Sequence, residues 1–354
     1  MRHLPKFIYM LIILAMALAG CAPQPAPTQV PAATQIASTQ SSNQPAAATA
    51  PAQKIKVALV LPGTINDNGW SQVAYSGVTA GAKETGAEVA YTESAQLPDF
   101  ETIFRDYANK GYNLVIGHGS EYADVAVKIG KEFPKTYFAV TNADVKAENV
   151  AGLDTKNEEA GYLAGFIAGT MSKSKKIGIV GAMEIVAMKR AAEGFVLGAK
   201  ASCPDCKTFS SWVGSFDDAG KGKETAMAMI EQGVDVVYAN ADAAGIGVIA
   251  GCKEKGVMVV GDTGDQSSLA PDLVITSMMQ NLDPMFVEII QEVAGGKFIP
   301  NNVRMNGFDT GIYYIAPLNK KLVTDDQSAK ILAEVDKVKN NQVKLPHMSA
   351  AAQQ

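Results

Sequence analysis

Between residues 55 and 293, short β-rich runs alternate with stretches whose apolar residues recur every three or four positions, and near residue 175 the alternation starts again. The runs cover 55–61, 88–92, 114–117, 137–141, 176–181, 207–213, 236–240, 257–261 and 273–277. The helix-period stretches fill 70–84, 99–110, 120–132, 159–171, 185–200, 222–232, 245–254 and 284–293. Strand, helix, strand repeated this often requires parallel sheets covered on both faces by helices. Val57-Ala58-Leu59-Val60-Leu61 and Ile177-Gly178-Ile179-Val180 are apolar throughout, as strands buried on both faces must be. One set of units runs from 54 to about 142 and a second from 175 to about 261, with the helix 159–171 between them. The expected fold is α/β, two doubly wound parallel-sheet lobes facing each other across a cleft.

The chain has 354 residues, and those before Lys54 are of another kind. Arg2 and Lys6 precede an apolar stretch from Phe7 to Leu18, which leads into Leu18-Ala19-Gly20-Cys21. The stretch is too short for a comfortable membrane span and ends in small residues, as a processed export signal should. Residues 1–20 therefore read as a lipoprotein signal peptide and Cys21 as the lipidated first residue of the mature protein. Several acyl chains on one cysteine would hold it to a membrane, since each buried methylene contributes about 0.8 kcal/mol and a single chain is marginal. Residues 21–53, almost wholly Ala, Pro, Gln, Thr, Ser and Val, cannot bury a core and read as a tether. The expected location is extracytoplasmic, anchored by lipid to the cell membrane.

About 300 residues remain, enough for two lobes with separate cores. The net charge of −5 is mixed in sign and no basic stripe appears, so nucleic acid is not an expected partner. No second apolar run is long enough to span a bilayer, so any transport role falls to a soluble component. Cys203-Pro204-Asp205-Cys206 has a spacing that serves zinc, redox exchange or a tight disulfide. Zinc needs a second Cys/His pair, and a redox motif should open a helix, whereas this one precedes a strand. In an exported chain a local disulfide is favoured over free thiols, and it would stabilise little because its loop is short. Cys252 reads as a small apolar helix residue.

Ligands of doubly wound sheets sit beyond the carboxyl ends of the strands. Here those loops fall at 62–69, 118–120, 142–144, 182–184, 214–218, 240–244 and 262–266. The first carries Asn66 and Asp67, followed by Trp70 and Tyr75. Capping of the next helix demands one such polar residue, yet two acceptors and two aromatics at a sheet edge also suit a flat or ringed ligand. His118 follows a strand end and could bond a ligand or serve the core. Gly119, Phe216 and Asn240 join the candidates from their loops. Gly245-Ile246-Gly247-Val248-Ile249-Ala250 fits G-x-G-x-x-A with Asp265 downstream, but it lies late in the second lobe, and close helix-to-strand packing explains its glycines more simply. No G-x-S-x-G, H-E-x-x-H or P-loop occurs, so neither an enzyme nor a cofactor or metal is expected.

Several motifs together resemble the basic membrane protein family of ABC-transporter solute-binding lipoproteins, which includes purine nucleoside receptors. They are Asn66-Asp67-x-x-Trp70-x-Gln72, Glu159-Ala160-Gly161-Tyr162-Leu163-Ala164-Gly165 with Ala168-Gly169, Gly214-Ser215-Phe216-Asp217-Asp218, and Asp265-Gln266 with Ala270-Pro271 and Thr276-Ser277. The resemblance covers about 54 to 317. It implies a type I periplasmic-binding fold whose lobes close on a ligand and hand it to a membrane permease. It also implies Asn66 and Asp67 at the ligand and Tyr75 at a stacking position. Trp70 stands where the family usually has Phe, and Asn142 where it usually has an acid. Asp262-Thr263-Gly264-Asp265-Gln266 replaces Val-Asp-x-Asp-Gln at the sugar site, and Gln280 stands where lysine is common. Asn offers donors as well as an acceptor and Gln lacks the charge of Lys, so the ligand need not be a nucleoside.

These readings set the expectations. The protein is a monomeric solute receptor binding a small ringed polar molecule, a purine base or nucleoside first, with Asn66, Asp67, Trp70, Tyr75, His118, Gly119, Asn142, Phe216, Asn240, Asp262, Thr263 and Gln280 as candidate contacts. The alternative is a surface sensor, or a receptor for a sugar-like metabolite. The N-terminal lobe should comprise 54–148 plus about 264–308, and the C-terminal lobe 149–263 plus about 309–345. The chain should change lobe near 149–157, 261–265 and 305–312.

Overall fold

The computed structural model describes residues 54–67 and 69–347; the signal peptide, the tether and Cys21 lie outside them. Twelve strands form two six-stranded sheets among the described residues. The first is built from β1 (Lys56–Val60), β2 (Glu88–Thr92), β3 (Leu114–Gly117), β4 (Tyr137–Thr141), β5 (Val150–Thr155) and β11 (Asn302–Asn306). Its order is β11-β5-β4-β3-β1-β2, parallel throughout. The second comprises β6 (Lys176–Gly181), β7 (Lys207–Trp212), β8 (Val236–Asn240), β9 (Met258–Thr263), β10 (Val274–Gln280) and β12 (Tyr313–Ile315), in the order β12-β10-β9-β8-β6-β7. Only its edge strand β12 runs antiparallel.

Helices cover both faces of each sheet. On the first, α1 (Trp70–Thr85) and α8 (Asp283–Ala294) take one face, and α2 (Phe100–Asn109) and α3 (Ala123–Glu132) the other. Successive strand residues point to opposite faces, and this divides the apolar run of β1. Val57, Leu59 and Leu61 join α1 and α8 in one core, while Ala58 and Val60 join α2 and α3 in the second. On the second sheet, α4 (Asn157–Met171) and α5 (Val186–Ser202) lie on one face with α9 (Asp325–Lys339), and α6 (Ala219–Glu231) and α7 (Ala244–Lys255) on the other. β8 repeats the division, sending Val236 and Tyr238 one way and Val237 and Ala239 the other. Truncating a fully buried Leu such as Leu59 to Ala would cost about 2–5 kcal/mol.

Two expected lobe boundaries are corrected. β5 pairs with β4 and β11, so the first lobe continues past 148 to Thr155. Likewise β10 pairs with β9, so the second lobe continues past 263 to Gln280, and the chain does not cross at 261–265. It crosses at three places: between Thr155 and Asn157, between Gln280 and Asp283, and between Asn306 and Tyr313. The first of these lies in the expected 149–157 window and the last overlaps 305–312. β5, β11 and β12 are short or interrupted by polar residues, and none stands out as a strand in sequence.

The first crossing carries a buried ionic cluster. Arg190 on α5 donates to both carboxylate oxygens of Asp154 at the end of β5, at 2.8 and 2.9 Å, and both side chains are almost wholly buried. His347, beyond α9, lies 3.2 Å from Asp154 and 2.7 Å from Glu158 at the start of α4. The expected glycine motifs are helix contacts. A Cβ on Gly161 or Gly165 would overlap the backbone of α5, and one on Gly247 would overlap the Ala219 carbonyl at the start of α6. The expected helix-to-strand contact thus holds for Gly245, where a Cβ would meet the Ala239 carbonyl of β8, while Gly247 sits in a helix–helix seam with α6. Cys203 and Cys206 form a disulfide, and Cys252 is free and buried in α7.

Candidate functional site

A cavity of about 590 Å³ opens where the carboxyl ends of the two sheets face one another. The first lobe lines it with the β1–α1 loop and the start of α1, with Ser94 and Gln96 after β2, with residues 119–121 after β3, and with Asn142 after β4. The second lobe contributes the starts of α4 and α5, the 215–217 loop, the end of β8 with Asp242, and Asp262, Thr263, Gln280 and Tyr313. Parallel strands bring these loops together, since each βα unit ends at the same edge of its sheet.

Trp70 is the aromatic wall of the first lobe. Its ring stacks on His118 at 4.0 Å between centroids and 20° between planes. His118 is fully buried, with Nε2 3.0 Å from the Trp70 carbonyl and Nδ1 2.9 Å from the Thr141 hydroxyl. A carbonyl can only accept, so Nε2 carries the proton and Nδ1 accepts from Thr141. Burial pushes the imidazole down to about 3, against the Trp70 bond, so the ring is neutral at physiological pH. His118 therefore backs Trp70 and does not reach the cavity. Tyr75, five residues along α1, points away; it packs against the α1/α8 core and meets the edge of Tyr91 at 5.1 Å. Five residues is about 140° round a helix, which separates the two rings. Asn66 is exposed and outside the lining.

Asp67 lines the cavity and also caps α1. Its carboxylate accepts from the amides of Gly69, Ser71 and Gln72 at 2.9, 2.9 and 3.0 Å. Phe216 lines the opposite wall and is 42% exposed. Asn142 adopts a positive φ of 50° and accepts from the Thr155 hydroxyl. From there a hydrogen-bonded path runs across the crossing: Asn157 donates to the Thr155 carbonyl at 3.0 Å, Tyr313 donates to Asn157 at 2.9 Å, and Gln280 donates to Tyr313 at 3.0 Å.

The floor of the second lobe centres on Asp262. Tyr238, Asn240 and Thr263 donate to it at 2.6, 2.9 and 3.0 Å. Burial raises its pKa, with those three bonds opposing the shift. Asn240 is buried and its Oδ1 has no protein partner. Asp242 was not a candidate, although the 240–244 loop contains it. It sits at a positive φ of 50° and accepts from the Trp70 amide at 3.3 Å, which joins the two lobes across the cleft. Burial, reinforced by the charges of Asp67 and Asp262, pushes its carboxyl up to about 7, against the amides of Trp70 and Ala243. Gly69 makes this approach possible, because a Cβ there would overlap Asp242 Oδ1.

Of the expected contacts, Asp67, Trp70, Gly119, Asn142, Phe216, Asn240, Asp262, Thr263 and Gln280 line one cavity, while Asn66, Tyr75 and His118 do not. Tyr238, Asn157, Tyr313 and Asp242 are the additions. Tyr238 falls in an expected strand and Tyr313 in none; the polar tips of both show only once the strands are paired.

Two doubly wound lobes with a ligand-sized cavity across their carboxyl edges define a type I periplasmic solute-binding fold. The likeness extends to solved structures: an ABC transporter solute-binding protein from Aeropyrum pernix superimposes with a TM-score of 0.75 at 21% identity, over 83% of this chain and 94% of that one. The chain belongs to the Bmp family, ABC transporter substrate-binding protein PnrA-like, whose model matches residues 54–349. Among its relatives, Transcriptional activator protein med of Bacillus subtilis is 30% identical over 82% of this chain and 90% of its own. The ABC transporter nucleoside-binding protein BmpA of Lactococcus lactis is 30% identical over 73% of this chain and 82% of its own.

Proposed function

We propose that this protein is the lipid-anchored, extracytoplasmic solute receptor of an ABC importer. It acts as a monomer that takes a purine base or nucleoside into the interlobe cavity, releases it unchanged to the permease, and catalyses nothing. The carrying observation is the pair of aromatic walls, Trp70 from one lobe and Phe216 from the other, lining a cavity of about 590 Å³. A flat ring held between two lobes by stacking and by peripheral hydrogen bonds is the ligand that such walls accommodate. The nucleoside-binding relative from Lactococcus lactis supports the same ligand class. Asp67 and Asn142 from one lobe and Asp262 from the floor of the other supply polar groups, and Asp242 bonds the Trp70 amide across the cleft. Cys21 supplies the anchor and residues 21–53 the reach from membrane to permease.

The test is calorimetry against adenine, guanine, hypoxanthine, adenosine, guanosine, inosine and a set of pentoses, with recovery of the bound compound. Saturable binding of a purine that is recovered intact supports the reading. Tight binding of a pentose with no response to any purine overturns the ligand class, and turnover of the ligand overturns the receptor role. A second reading, a ligand-responsive sensor signalling to a partner protein, is favoured by the relative from Bacillus subtilis named as a transcriptional activator. A permease and ATPase encoded beside this chain would decide for import.

A further inference from the structure

Hydrogen-bonding capacity along the second-lobe wall of the cavity is one-sided. Five of the described lining residues are carboxylates, Asp67, Glu121, Asp217, Asp242 and Asp262, and none is Lys, Arg or His. The side-chain amides of Gln96, Asn157, Asn240 and Gln280 each already donate to a protein acceptor. So do the hydroxyls of Tyr238 and Thr263, both bonded to Asp262. Asn142, on the first lobe, is engaged through its Oδ1 and keeps its amide donor. What remains toward the second-lobe wall is acceptor capacity. Asn240 fixes the point: its amide nitrogen is committed to Asp262, which leaves Oδ1 buried, 8% exposed as a residue, and without a protein partner. A buried acceptor left unpaired is costly, and so is a buried carboxylate without a compensating charge. A ligand that brings N–H donors and positive charge relieves both. The π faces of Trp70 and Phe216 favour the same partner, since aromatic quadrupoles attract cations.

We propose that the cavity selects a flat ring bearing a positive charge on or beside it, with that edge turned toward Asn240, Asp242 and Asp262, and that it rejects phosphorylated or carboxylated relatives. The proposal rests on the reading of this cavity as the receptor's ligand site and narrows the ligand within it. The raised carboxyls of Asp242 and Asp262 fit a wall short of positive charge, and a bound cation would drive them toward the ionised form.

Calorimetry at about neutral pH on the full protein would compare adenosine, the N1-methyladenosine cation, adenosine monophosphate and the N-methylnicotinamide cation, with Asp242→Asn and Asp262→Asn run beside the wild type. The decisive quantity is the ratio of cation to neutral affinity in each protein, because any steric effect of the added methyl cancels between wild type and variant. That ratio should fall by about tenfold or more in either variant, the loss expected for one charge pair even where solvent screens it nearly as in bulk water, and the monophosphate should not bind. Adenosine binding with the ratio unchanged in both variants, or the monophosphate binding as well as adenosine, would overturn the charge proposal and leave the purine reading standing. Binding of N-methylnicotinamide with no response to any purine would uphold the charge proposal and refute the purine reading.

Discussion

Replacing Gly69 with Ala separates cleft closure from folding. An added Cβ would overlap Asp242 Oδ1, an atom of the opposite lobe, whereas within its own lobe the φ of −151° is one that alanine adopts. The overlap is relieved if Asp242 withdraws, and the 3.3 Å bond from the Trp70 amide is then lost. A hydrogen bond is worth about 0.5–1.5 kcal/mol, and up to about 3 kcal/mol when its acceptor is charged, which corresponds to a weakening of ligand affinity by roughly two- to a hundredfold. The loss should appear in calorimetry, while the thermal midpoint without ligand moves by less than about 2 °C, because neither lobe's core is touched. Small-angle scattering should show the ligand-bound variant more open than the ligand-bound wild type. An affinity within about twofold of wild type would refute the reasoning, since it would mean that the Asp242–Trp70 contact contributes nothing to the bound state.

Trp70→Ala should weaken binding of a purine by about 1–3 kcal/mol, the range of base–aromatic stacking, as read by calorimetry; an unchanged affinity would place the ring elsewhere. Arg190→Leu removes two hydrogen bonds from the fully buried Asp154 carboxylate. Breaking a buried pair costs about 3–5 kcal/mol, so the thermal midpoint should fall by roughly 6 °C or more. His347 is raised to about 9 by its bonds to Asp154 and Glu158. A raised histidine contributes stability that is fully present below its unfolded value, near 6.5, and is lost as pH rises through the folded one. His347→Ala should therefore lower the midpoint at about pH 6 and leave it unaltered at about pH 10; equal losses at both would show that the ring's charge is irrelevant.

Strands buried on both faces and helices with a regular apolar period were legible in the sequence, because their burial writes itself into composition. β1 and β6 are the clearest cases. β5 was not, since Gly152 and Asp154 interrupt it and the carboxylate is tolerated because Arg190 meets it from α5 and His347 from beyond α9. β10 continues to Gln280 because its pairing with β9 extends through Met279, and pairing partners are invisible in a single chain. The site followed the same division. Loops at strand ends could be enumerated, and nine of the twelve expected contacts line the cavity. His118 and Tyr75 failed for opposite reasons. His118 ends inside the wall as the support of Trp70, and Tyr75 is turned away by helical rotation. Asp242 carries no signal in sequence because its role is a contact with the other lobe.

Trp70 and Trp212 are the two tryptophans of the chain, and only Trp70 lines the cavity. A Trp212→Phe protein thus reports from the proposed stacking wall alone. Titrating its fluorescence with purine bases and nucleosides tests the central claim directly. The account predicts a saturable change that follows the calorimetric affinity of the same compounds. An emission unaltered by any purine, in a protein that binds one of them by calorimetry, would contradict it.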